Sequence, residues 1–258
     1  LFFVGLLELT HQSVHRNFVS SKLGNEILGT IAAGLIGFNL VAYRYFHFEH
    51  HRHPCDEEDP EGLLYAGSPR TRWIWLIAPV AQLWVAVAIN RLAGQYVPRR
   101  KRIDWLRARF ALGLMLCALM LFAVLSPQSF LMAYLLPFCG FAWIDFPFSQ
   151  AEHYGVDVRK STARADYGTV THDVRVPLVL SGLMLHRNLH RVHHIWPSTR
   201  WYEAPGRFGS LARSQSEQVL TFAEFLSRWM RQGPRLWAPM GSPAPDEARP
   251  HESQRTNE

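Results

Sequence analysis

"HRNLHRVHHIWPSTRWYEAP", residues 186–205, puts four histidines within nine residues (186–194) and then turns aromatic and proline-bounded. A soluble core accommodates such a run poorly. Each neutral imidazole brings a donor and an acceptor to satisfy, and several charged ones together would repel. Two other stretches share the spacing. "HQSVH" sets His11 and His15 four residues apart, and "HFEHH" sets His47, His50 and His51 at i, i+3 and i+4, as "HRVHH" does with His190, His193 and His194. Residues three and four apart share a helix face, so each cluster is expected to present its imidazoles in one direction, a common way for a helix to grip a metal. These motifs take eight of the 13 histidines. One ion takes about four to six ligands, so eight imidazoles point to two ions.

Cysteine is absent from the boxes, which argues against thiolate zinc and iron–sulfur sites, but imidazole suits iron, zinc, copper and nickel alike. A ninth ligand is expected at His153, in "SQAEHYG" (149–155), because that segment must return to the side where the other boxes lie. His186, four residues before His190, is a candidate to support the ligands from behind, and His53 to orient or cap. His172 and His251 carry no pattern and read as surface residues. Cys55, Cys117 and Cys139 form no C-x-x-C pair and read as small core residues.

Apolar residues make up 48% of the 258, an ordinary soluble value, but they are concentrated in five stretches: 1–9, 27–43, 73–89, 110–125 and 130–146. Dense polar blocks separate them, which is the pattern of an integral membrane protein. A 17-residue helix is about 26 Å long, slightly short of a bilayer core, so length alone does not separate spanning from in-plane segments. "LFFVGLLEL" reads as the tail of a membrane helix that begins before residue 1, and it lacks the basic flank and cleavage site of a secretory signal. The net charge of +6 comes without a basic run interleaved with stacking aromatics. It is therefore assigned to lipid headgroups or an acidic partner, and no nucleic acid is expected. One membrane domain is expected over 1–232, with a disordered tail over 233–258.

If the boxes build one site, they lie on one side of the membrane. A single crossing by 27–43 would separate boxes one and two, so that stretch should lie in the plane or dip and return, with Gly29, Gly34 and Gly37 allowing close packing. "SPQS" (126–129) breaks 110–125 from 130–146, which pair as a transmembrane hairpin. Parity then keeps 73–89 in the plane, and Pro79 and Gln82 suit it to an interface. The arginine- and lysine-dense "VPRRKRIDWLRAR" (97–109) places the histidine cap on the cytoplasmic side. The fold class is thus all-α: a transmembrane hairpin, in-plane helices and a cytoplasmic histidine-box cap. Trp143, Phe146 and Phe148 read first as interface aromatics and second as the lining of a lipid access route. Arg159, Lys160 and Arg164 read first as a solvated basic face and second as a site for an acidic headgroup.

From His11 to about Pro205 these motifs resemble the membrane fatty-acid desaturases, hydroxylases and related lipid oxygenases. "HQSVH" with Asn25 and Gly29 downstream is similar to the family's first box, and "HFEHH" trailed by Asp59–Pro60 to its second. "NLHRVHHIWPSTRWYEAP" resembles the third, and "AEHYG" resembles an extra histidine motif of some members. Ser149 stands where relatives often carry asparagine, so a water-mediated role there is not carried over. The resemblance implies a non-haem di-iron centre, two iron ions held by His11, His15, His47, His50, His51, His153, His190, His193 and His194. No catalytic residue beyond these ligands and no organic-cofactor site is implied. The implied activity is O2-dependent oxidation of unactivated C–H bonds in a lipid chain: acyl desaturation first, hydroxylation or ketolation of acyl chains, alkanes or carotenoids second. Electrons would come from a separate ferredoxin, rubredoxin or cytochrome b5 type donor. A membrane metal carrier and a zinc-dependent membrane hydrolase are the readings from other classes. The carrier would need ionisable residues along its spans, and the hydrolase an open site with fewer histidines per ion.

Overall fold

The computed structural model describes residues 1–56, 58–62, 71–156, 169–214 and 219–233. Helix α1 (Phe2–Val14) meets α2 (Lys22–Leu35) at Gly29, where an added Cβ would stand 2.5 Å from the Ser13 side chain. The Ser21 hydroxyl caps α2, and the buried Asn25 amide bonds both sides of the preceding loop, accepting from Phe18 and Val19 and donating to Val19 and Ser21. After α2 the chain turns through 94° into α3 (Leu40–Arg52). Gly37 makes the turn with a φ of +89°, and Asn39 caps α3 through the Ala42 amide at 2.9 Å. The stretch 27–43 is therefore broken by a sharp bend and is not one straight helix. Arg44 on α3 is buried and donates to the carbonyls of Ser13 and Val14, which ties α3 to the C-terminal end of α1.

Helix α4 (Ala78–Leu92) follows a 3-10 turn (Arg72–Ile77), and α5 (Arg102–Leu125) and α6 (Pro127–Glu152) form the hairpin, with a π-turn at Leu131–Leu135. Leu114, Met120, Val124, Met132 and Leu136 stand exposed on it, as residues facing lipid do. Three segments are long and apolar enough to cross a membrane: Arg72–Gln95, Arg99–Leu125 and Pro127–Glu152. The first is tied to the other two at both of its ends. At its start the Trp75 indole donates to the Trp143 carbonyl on α6 and the Trp143 indole to the Leu76 carbonyl in the 3-10 turn, and at its end Asn90 bonds Asn39, which in turn bonds the Trp105 carbonyl on α5. Trp143 is 17 residues from the turn at Ser126 and Trp105 is 21. At about 1.5 Å per residue the two attachments stand about 26 and 32 Å along the legs from that turn, towards their histidine end.

Beyond α6, strand β1 (Asp173–Arg175) pairs in parallel with β2 (Val219–Thr221). Between them run α7 (Leu178–Leu183), α8 (His190–Ile195) and α9 (Ala204–Ser214), and β2 leads into α10 (Phe222–Gln232). The fold is an all-α membrane protein carrying this one short strand pair among the described residues. Phe148 is buried against Phe222, stacked at 4.9 Å. Of the cysteines, Cys55 is buried, but Cys117 is exposed on the hairpin and not in a core. Arg159, Lys160, Arg164, His251 and nearly all of the expected tail lie outside the described residues.

Candidate metal centre

Four separate segments converge. The end of α1 brings His11 and His15, the last turns of α3 bring His47, His50 and His51, the residue after α6 is His153, and α8 brings His190, His193 and His194. The nine imidazoles gather in two groups that could each hold a metal ion: His11, His15, His47, His51 and His193, and beside them His50, His153, His190 and His194. In each group the ligand atoms lie within 4.8 Å of one another. The groups abut, with the His51 and His194 rings 4.5 Å apart.

The clusters do not each face one way, as their spacing was expected to make them do. At 100° per residue, i and i+4 are about 40° apart around the helix, whereas i+3 falls about 60° to the other side. The pairs His11/His15, His47/His51 and His190/His194 each stay together, while His50 and His193 cross to the opposite group. One rule of helix geometry thus sorts all three boxes.

The Nε2 atoms crowd one another. His11 Nε2 lies 2.9 Å from His193 Nε2 and 3.1 Å from His47 Nε2, and His51 Nε2 lies 2.8 Å from that of His193. In the second group the Nε2 pairs His50–His194, His153–His190 and His190–His194 are 3.2, 3.2 and 3.0 Å apart. The other nitrogens set the tautomers. His11 Nδ1 donates to Glu8 at 3.1 Å, His47 Nδ1 to Glu61 at 3.2 Å, His50 Nδ1 to Asp59 at 2.9 Å, and His153 Nδ1 to the Val170 carbonyl at 2.9 Å. Burial, reinforced by neighbouring imidazoles, holds His190, His193 and His194 far below the ordinary imidazole range and His153 down at about 3. Where Nδ1 carries the proton of a neutral ring, Nε2 presents a lone pair. His47 and His153, held neutral with Nδ1 donating, turn Nε2 lone pairs on neighbouring ring nitrogens across about 3 Å, an arrangement that a cation reconciles. Imidazole–metal bonds of about 2.0–2.1 Å put neighbouring ligand nitrogens roughly 3 Å apart, so the spacing fits.

Carboxylates and a cap surround this centre. Asp59 also accepts the backbone amides of Cys55 and Glu61, at 2.8 and 2.9 Å, so three donors converge on it. Cys55 Sγ lies 3.4 Å from His153 Nδ1. Asp173 on β1 accepts the amides of Arg191 and Val192 and the Arg191 side chain, thereby capping α8. Arg187 binds Asp145 at 2.9 Å and the Ser149 hydroxyl at 2.7 Å, so Ser149 takes part in this buried network. His53 caps α3 through its backbone and pairs with Asp56 at 3.0 Å. His186 bonds Ser181 and none of the nine, and His172 is half-buried on the Tyr154 carbonyl. A cavity of about 100 Å³, walled by Phe38, Phe46, Ile74 and Val85 among others, opens onto His11, His47 and His190. Glu8 and Glu61 carried no sequence signal of their own, although Glu8 stands one helical turn before His11.

A comparison with curated proteins gave no match. The family model described as fatty acid desaturase matches residues 1–224, and the chain belongs to that family.

Proposed function

We propose that the nine imidazoles hold two iron ions and that the protein uses O2 to oxidise unactivated C–H bonds in a lipid-borne chain, first of all by acyl desaturation. One observation carries the reading: two adjoining groups of imidazoles, most of them buried, in a membrane protein of the fatty acid desaturase family. His11, His15, His47, His51 and His193 would take one ion, and His50, His153, His190 and His194 the other. Iron bound there supplies the reduction of O2 and the oxidising power that C–H cleavage needs. Desaturation takes two hydrogens from the chain, consumes one O2, two electrons and two protons, and releases two waters. The electrons come from a separate carrier of the ferredoxin, rubredoxin or cytochrome b5 type. On this reading the histidine cap faces the cytoplasm, where such carriers are reduced.

The chain's own residues bind and orient. Glu8, Glu61 and Asp59 fix three ring tautomers, and the apolar walls of the inner cavity exclude water and align the substrate beside His47 and His190. Asp145 and Glu152, the acids of Pro127–Glu152, both face Arg187, at 2.9 and 3.4 Å, and are not spaced along a path, which weighs against a metal carrier.

Cells expressing the intact protein with a compatible donor should accumulate acyl lipids lighter by two hydrogens, only in the presence of O2, and not with His50→Ala. Gain of one oxygen would place hydroxylation on the same site. If mass spectrometry finds neither change in acyl lipids, alkanes or carotenoids while iron is loaded and reducible, the reading fails. Asp59→Ala should lower metal affinity about 10–100-fold, because the His50 ring loses the partner that fixes it. Iron retained after dialysis against a chelator measures this, and retention equal to the parent would remove Asp59 from the site.

A further inference from the structure

The inner cavity has a neighbour. A groove of about 250 Å³ opens on the outer surface between the Arg72–Ile77 turn, α6 and α10. Phe146 lines both the groove and the cavity beside His47 and His190. The 3-10 turn divides the two spaces by side. Ile74, 4% exposed, lines the inner cavity, while Trp73 and Leu76, 60% and 63% exposed, line the groove. The partition is thus thin, built of Ile74 and Phe146. Phe146 is half-buried and meets Trp229 of α10 edge-on at 6.2 Å.

The helix is weakened at this point. Pro147 has no N–H to give the carbonyl of Trp143, one turn back. The Trp75 indole takes that carbonyl instead, at 2.9 Å. The backbone next to Phe146 therefore lacks one helical rung, a common cause of local bending. Neither space alone reaches the roughly 300 Å³ at the lower end of small-molecule sites, but joined they exceed it.

We propose that Phe146 is a gate through which the hydrocarbon chain of a membrane lipid passes from the outer groove to the inner cavity. The occupant follows from the surroundings. Among the described residues Arg72 is the one charged residue lining the groove, and its guanidinium is engaged with the Met230 carbonyl. The groove adjoins the exposed Trp143 and Ile144 on α6, which belong to the lipid-facing hairpin, and its far wall leads to the imidazoles. The inference rests on the lipid-oxidation reading and adds to it a route and a residue that sets access.

A long-chain fatty acid with a terminal diazirine tests it in the iron-loaded, intact protein in lipid nanodiscs. Photolabelling maps which residues the chain end reaches, and it needs no turnover. The parent should label Met230 in the groove and Leu7 and Val85 in the cavity. Phe146→Trp should keep the Met230 label and its iron but lose the labels on Leu7 and Val85. Phe146→Ala should keep its iron and label the cavity faster than the parent. Val124→Trp, on the lipid-facing hairpin, should change nothing. Cavity labelling unchanged by both Phe146 variants, or cavity labels without groove labels in the parent, overturns the gate. If the labels follow the expected pattern but no oxidised lipid forms, the gate stands and the proposed reaction fails.

Discussion

His194→Ala should leave the protein with about one iron and no measurable lipid oxidation. His194 is buried at 3% exposure, and its Nε2 stands between those of His50 and His190, at 3.2 and 3.0 Å. The four-imidazole group keeps three ligands and gains a void without it. The loss should exceed the roughly 10–100-fold that removal of an outer partner costs, because a donor atom itself is gone. His194 also lies at the seam, its ring 4.5 Å from that of His51, so the five-imidazole group should bind its ion more weakly as well. His53→Ala is the contrast. It changes the same residue type two positions beyond box two, yet His53 pairs with Asp56 and should leave the iron in place. Iron per chain by elemental analysis, with turnover on the same samples, separates the two. Equal iron in both variants would falsify the assignment.

Asp173→Ala should destabilise the fold by about 3–5 kcal/mol, the range for removing one partner of a buried ion pair. Asp173 and Arg191 are both fully buried, and the carboxylate bonds the guanidinium at 3.2 Å while also capping α8 at two amides. The variant takes a carboxylate from a buried cation and uncaps the helix that carries three of the nine imidazoles. Asp173→Asn should fall between, since an amide oxygen can still accept from the helix but brings no charge. Reversible denaturation in detergent micelles would measure this. A loss below about 1 kcal/mol, the scale of a surface pair, would mean that the pair is not what holds α8 in place.

The histidines were legible because the signal is local. Spacing at i, i+3 and i+4 survives in sequence whatever the rest of the chain does. Their division into two groups follows from the same helical angle, but it becomes visible only once two facing helices supply the other ligands. Counting crossings put 73–89 in the membrane plane, whereas Arg72–Gln95 has the length and hydropathy of a span, as the two hairpin legs do. Asp59 stood out through its box, but Glu8 and Glu61 did not, since a carboxylate near a histidine motif is common and only tertiary contact makes it a partner. Asp173 and Arg44 were illegible for a related reason. Each satisfies the end of a helix distant in sequence, Asp173 at α8 and Arg44 at α1, and nothing in the neighbouring residues announces the match.

The convergence of four segments also sets an order on how the molecule is made. His11 and His193 are 182 positions apart, and each imidazole group draws on α8. A chain still emerging from the ribosome holds boxes one and two long before the third exists. Until residue 190 is made, the nascent protein carries an open cup of His11, His15, His47 and His51, with the hairpin already translated. Neither ring of imidazoles can close before the hairpin has been threaded into the bilayer. If the imidazoles hold metal as proposed, loading is a late event, and a ribosome stalled short of α8 would leave a chain with two half-built sites.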